Sequence, residues 1–139
     1  MSVVPVYLDS SALMKLILPE PESEALEQAL HRWPHWLSSE LAAVECRRAL
    51  RRIGAPKAAG RRADGVLATV VLLRLDEPVL RLASHVGPPL LRSLDAIHLA
   101  SALSIGDYPD AFITYDDRLA EAARTLKLHV LAPGRSLQM

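Results

Sequence analysis

A chain of 139 residues, half of them hydrophobic and 23% charged, is large enough to bury a core without disulfides or a structural metal. That balance excludes a disordered tail and a secreted miniprotein. The single cysteine, Cys46, excludes a disulfide framework and any thiolate cluster and is compatible with a reducing cytosol. Basic and acidic residues both number 16, so net charge points to no particular partner, although seven basic residues fall between positions 47 and 62.

The first residues carry no basic region and too short an apolar run for a signal peptide or a membrane span. A cytoplasmic protein is the expectation, with residues 1–139 read as one domain and no membrane partner. Residues 3–8 are apolar and rich in β-branched side chains, the pattern of a strand buried on both faces. Asp9 stands at its end. Ser10 or Ser11 is placed to cap a helix reaching Leu18, where Pro19 and Pro21 stop it. A second helix is predicted over 22–32 and a short strand over 35–38. Ser38 or Ser39 then caps a helix running to Ile53, ended by Gly54.

In that helix Ala42, Cys46, Ala49, Leu50 and Ile53 form one stripe at helical period, the predicted buried face, with Glu45 at its edge. Pro56 suits the first turn of another helix, running towards Leu73, and 74–76 is a candidate strand. Pro78 opens a helix that Gly87-Pro88-Pro89 ends. Ser93 is a candidate cap for 94–104, a segment apolar on nearly every side and hence buried, with Asp95 in its first turn. After a turn over 106–110, a strand over 111–114, a helix over 117–126 and a last strand over 128–131 complete the chain. Alternating strands and helices imply a three-layer α/β/α fold with a mostly parallel central sheet of about five short strands. Ligands in such sheets bind beyond the carboxyl ends of the strands, where Asp9 and Asp116 stand.

Asp9, Glu45, Asp95 and Asp116 all sit among apolar neighbours. Burying unpaired carboxylates is costly and clustering them adds repulsion, so the set calls for a compensating cation. A hard divalent ion suits oxygen ligands, and Mg²⁺ in particular binds through few carboxylates while keeping waters for a phosphate. Each residue also has a plainer reading. Asp9 and Asp116 suit helix caps, Asp95 suits a helix N-terminus through the dipole, and Glu45 is spaced to pair with Arg48 or Arg52. His98, one turn after Asp95, is read as a packed, hydrogen-bonded histidine, and Cys46 as a small hydrophobe.

The segments 7–13 (YLDSSAL), 39–50 (SELAAVECRRAL), 94–100 (LDAIHLA) and 113–119 (ITYDDRL) resemble, in order, the four motifs of PIN domains in their VapC branch. The resemblance spans nearly the whole chain and implies the PIN-like α/β/α fold. It implies a toxin endoribonuclease of a VapBC-type toxin–antitoxin module, with Asp9, Glu45, Asp95 and Asp116 as ligands to one or two Mg²⁺ or Mn²⁺ ions. Cleavage would leave a 5′-phosphate and a 3′-hydroxyl. A supporting hydroxyl maps to Ser11, with Thr114 a second candidate, and Asp117 stands where it could assist or replace Asp116. The resemblance further implies a homodimer and a VapB-like antitoxin covering the acidic groove.

Among the basic residues Arg48 and Arg52 lie on the side of their helix nearest Glu45 and are the candidates for RNA phosphate contact, against a solvated helical face. Trp33, Trp36 and Tyr115 are assigned to packing rather than to base stacking. A response-regulator receiver is disfavoured because Asp9 is not one of an acidic pair and no lysine follows the last strand; a haloacid-dehalogenase phosphatase fails because position 11 is Ser11. The alternative function is a PIN-like RNA- or protein-binding module without turnover.

Overall fold

The computed structural model describes residues 4–106 and 108–135. Five strands, β1 (Val6–Leu8), β2 (Trp36–Ser39), β3 (Val71–Leu73), β4 (Ala111–Ile113) and β5 (Val130–Leu131), form one sheet in the order β3-β2-β1-β4-β5, every pairing parallel. Seven described helices connect and flank them: α1 (Ser10–Ile17), α2 (Ser23–Leu30), α3 (Glu40–Arg52), α4 (Lys57–Ala68), α5 (Glu77–Ala83), α6 (Ser93–Leu103) and α7 (Asp117–Thr125). None is long and apolar enough to cross a membrane.

The chain runs outward from β1 to β3, then crosses back to β4 on the other side of β1. Right-handed crossovers therefore place the two sets of helices on opposite faces. The packing agrees. Val6 and Leu8 join Ala111 and Ile113 in a core with residues of α1 to α4, whereas Tyr7 and Phe112, one residue out of phase, pack with Leu37 and residues of α6 and α7. Both faces of β1 are thus covered, which is why residues 6–8 are uniformly apolar and wholly buried. The order reverses between β1 and β4, and the open crevice of such a sheet lies beyond the ends of those strands.

Several boundaries differ from the sequence-based expectation. Val3 and the Asp107 position of the expected turn lie outside the described residues. Of the three cap candidates Asp9, Ser10 and Ser11, Asp9 caps α1, because its extended backbone lets its carboxylate accept from the Ala12 N–H. Ser39 caps α3 as expected, but Ser93 is the first residue of α6, and Arg92 before it gives no side-chain cap. Helix α4 stops at Ala68, and residues 71–73 form a strand where a helix was expected, while 74–76 do not. The run from Val70 to Leu73 is too short for its periodicity to decide, and pairing with β2 settles it. On α3 only Ala42, Cys46 and Leu50 of the predicted stripe are fully buried; Ala49 is half-buried, and Ile53, already at the cap, is 64% exposed.

Candidate active site

The sheet ends bring the carboxylates together. Asp9 follows β1, Glu45 projects from the middle of α3, Asp95 lies in the first turn of α6 and Asp116 caps α7 just after β4. All four line one cavity of about 300 Å³, with Ser10, Ser11, Arg92 and His98 among the other lining residues. Asp117 does not. Its side chain is 95% exposed and pairs with Arg135 at 3.0 Å. Arg48 and Arg52 are exposed on α3 and lie outside the lining.

Asp9 is 3% exposed and fully engaged. Its Oδ1 accepts from the Ser11 hydroxyl at 2.7 Å and the Ala12 N–H at 2.9 Å, and its Oδ2 accepts from the Thr114 hydroxyl at 2.6 Å. Each hydroxyl is itself fixed: Ser11 Oγ accepts from the Tyr115 N–H and Thr114 Oγ1 from the Asp116 N–H. Burial pushes the Asp9 carboxyl above its ordinary pKa, against the nearby His98 and these hydrogen bonds. A group so placed resists ionisation unless a cation compensates it.

Glu45 is held differently. Its Oε1 accepts from the Ser10 hydroxyl and lies 2.7 Å from His98 Nε2. The other ring nitrogen of His98 is 2.8 Å from the Tyr7 hydroxyl. A tautomer in which Tyr7 donates to Nδ1 and Nε2–H donates to Glu45 satisfies all three groups. Burial pushes the Glu45 carboxyl up, but the bonds from His98 and Ser10 outweigh it and hold the carboxyl below its usual value. Tyr7 is locked in turn by stacking on Phe112 at 5.1 Å, and burial drives its phenol well up, so it remains a neutral donor. His98 is therefore buried and hydrogen-bonded as expected, and it also lines the cavity.

Asp95 and Asp116 share a cation from their own chain. Arg92 donates through Nε to Asp95 Oδ2 and through a terminal nitrogen to Asp116 Oδ2, both at 3.1 Å. Asp116 Oδ1 accepts from the N–H groups of Arg118 and Leu119, so the cap reading and the cavity position hold together. Glu45 Oε2 and Asp95 Oδ1 accept no hydrogen bond among the described residues. Among those residues, no three Asp, Glu, His or Cys groups converge into a preformed cage.

Sequence reasoning missed Ser10 and Arg92. For Arg92 a signal existed, its position one helical turn before Asp95, but its second partner lies 24 residues away and only the fold shows it. The remaining candidates stay structural. Trp33 Nε1 donates to Asp110, Trp36 Nε1 to the Trp33 carbonyl and Tyr115 to the Pro133 carbonyl. Cys46 is buried, and burial pushes its thiol up to about 12, which removes it as a nucleophile.

A parallel α/β sheet whose switch point opens into a carboxylate-lined cavity is the architecture of a small α/β domain suited to a hard divalent cation. Residues 6–125 match the PIN domain family. Ribonuclease VapC46 of Mycobacterium tuberculosis is 49% identical over 130 residues, covering 93% of this chain and 98% of its own length. Ribonuclease VapC35 of the same organism is 41% identical over 138 residues, covering 94% and 98%. The crystal structure of M. tuberculosis VapC20, a Sarcin-Ricin loop cleaving toxin, superposes with a TM-score of 0.67 at 16% identity, covering 84% of this chain and 94% of that one, a likeness of fold. The chain belongs to the PIN-domain family, in its VapC branch of ribonucleases.

Proposed function

We propose that this chain is the toxin endoribonuclease of a VapBC-type module and that the cavity is its divalent-cation and catalytic site. The observation that carries this reading is that carboxylates from four separate stretches, Asp9, Glu45, Asp95 and Asp116, line one small cavity at the switch point of the sheet. Their donors are all hard oxygens, and Glu45 Oε2 and Asp95 Oδ1 are uncommitted, which suits one or two Mg²⁺ or Mn²⁺ ions. An open set of this kind suits Mg²⁺, which keeps several waters and binds through one or two carboxylates together with substrate phosphates.

When bound, such an ion supplies positive charge against the scissile phosphate and lowers the pKa of an attacking water. The chain's own groups prepare the place. Ser11 and Thr114 fix both oxygens of Asp9, so its orientation is set before anything binds. His98 and Ser10 anchor Glu45 through one oxygen and leave the other without a hydrogen bond among the described residues. The water oxygen bonds to phosphorus as the bond to the 3′ oxygen breaks, giving a 5′-phosphate and a 3′-hydroxyl. Arg48 and Arg52, exposed on the helix that carries Glu45, are assigned to the RNA backbone beyond the cavity. A VapB-like antitoxin covering the groove, a homodimeric assembly and a cytoplasmic setting complete the reading.

The test uses the purified chain, free of any partner, with transfer, ribosomal and messenger RNA in Mg²⁺, Mn²⁺ or EDTA, beside Asp9→Asn and Asp95→Asn. Discrete cuts that need metal and vanish in both variants are the expected result. Metal binding by calorimetry without any cut would support the rival reading of a binding module. Absence of metal binding would remove the four-carboxylate site altogether.

A further inference from the structure

Arg92 touches two of the proposed ligands at once, and its surroundings do not hold it there. Its guanidinium spans Asp95 Oδ2 and Asp116 Oδ2, while 58% of its side chain is exposed. The same residue, with Asp95, also lines a second cavity of about 410 Å³ that runs between the α5–α6 loop and α7, walled by Pro88, Leu90, Leu91 and Arg118. Arg92 therefore stands on the boundary between the acidic cavity and an adjoining space with room for its side chain.

We infer that Arg92 is the protein's own stand-in for the cation: it neutralises the Asp95–Asp116 edge, leaves it when the ion is loaded, and turns its guanidinium to the RNA phosphate. The inference rests on the proposed cation site. A divalent ion using Asp116 meets the Oδ2 that Arg92 occupies, an ion on Asp95 Oδ1 sits on the carboxylate whose Oδ2 Arg92 holds, and two positive groups cannot share that edge without mutual repulsion. The pair with Asp116 is exposed and weak enough to yield to it, while at the buried Asp95 the ion itself replaces the charge that Arg92 supplied. Once released, a planar fork of donors that is always charged is well suited to a phosphate held beside the acidic cavity, and the second cavity lets it move without disturbing the core. Arg92 is in this account a substrate-contacting residue that links metal loading to substrate binding.

The two roles predict opposite signs for one substitution. In calorimetry with Mn²⁺ on the full chain, Arg92→Gln is expected to bind the ion about three- to tenfold more tightly than wild type, since its competitor is gone. In steady-state cleavage the same variant is expected to raise KM for RNA about tenfold with kcat changed less, because a phosphate contact is lost. Arg92→Lys, which keeps the charge but not the fork, should fall between the two in both measurements. Circular dichroism checks that each variant is folded, and Arg92→Lys carries the test if Arg92→Gln is not. Mn²⁺ affinity unchanged or weakened in Arg92→Gln, with Asp95→Asn still abolishing binding, would overturn the inference and make Arg92 a fixed clamp while leaving the cation site intact. If wild type binds no Mn²⁺, the cation site fails and this inference with it.

Discussion

Asp9 and Asp116 stand beyond the ends of neighbouring parallel strands, yet the protein treats them in opposite ways. Asp9 is nearly sealed from solvent and held by two hydroxyls and an N–H, all neutral donors from rigid elements. The Asp116 side chain is 32% exposed, uses one oxygen to cap α7 and gives the other to the exposed Arg92. Neutral donors orient a carboxylate without cancelling its charge, whereas a guanidinium cancels it and must give way to a competing cation. One side of the cavity is thus built as a permanent scaffold and the other as an exchangeable edge.

The most severe way to break this contrast is Asp9→Asn. Cleavage is expected to fall by more than the roughly 10–100-fold typical of lost outer-shell partners, because a proposed ligand itself is removed, and gel assays of RNA cleavage read this directly. The same variant should leave metal-free stability equal or raised. Burial holds the Asp9 pKa above its unfolded value, so ionisation costs stability above the folded pKa. Wild-type stability without metal therefore gains from Asp9 as pH falls through that raised pKa, until the unfolded chain is protonated too. Denaturant melts across pH should show this gain disappear in Asp9→Asn. Glu45 works in the other direction: its folded pKa is held low, so the stability it adds is present above the ordinary glutamate value and is lost as pH falls through the folded one.

Thr114→Val tests the scaffold without touching a carboxylate. It removes the hydroxyl that donates to Asp9 Oδ2 and accepts from the Asp116 N–H, and metal affinity by calorimetry is expected to drop about 10–100-fold. Asp116→Asn should cost less than Asp9→Asn, about tenfold or more in kcat/KM, because the α7 cap already commits one Asp116 oxygen, and move the melting temperature little, since asparagine caps a helix about as well as aspartate. Asp117→Asn is expected to change cleavage by less than about twofold, because surface charges away from a site contribute little. An effect of Asp117→Asn as large as that of Asp116→Asn would reverse the assignment of the two adjacent aspartates.

Much of this was readable in the chain. Alternating apolar runs and helical periods identified the parallel α/β/α architecture, because strands covered on both faces and helices covered on one leave distinct patterns. The acidic residues stand out because each interrupts an apolar stretch, whereas Ser11 and Thr114 are reached only through the resemblance to the PIN motifs, and the structure sets both hydroxyls on Asp9. Misjudged boundaries fell where local signals were weak. Residues 71–73 became a strand through pairing with Leu37, Ser38 and Ser39, partners more than thirty positions away.

By itself the sequence determined the layer architecture, the buried face of β1, the arrest of α1 before Pro19 and the placing of four carboxylates beside apolar runs, since these rest on side-chain type and spacing along one segment. Only the tertiary structure decided how each carboxylate is held. Tyr7, His98 and Glu45 form one chain of hydrogen bonds across 91 positions of sequence, and Arg92 joins Asp95 to an aspartate on another helix. Periodicity carries the orientation of a residue on its own element, but which donors surround a carboxylate depends on where separate elements meet, and that is fixed when the crossover from β3 returns the chain to β4 beside β1.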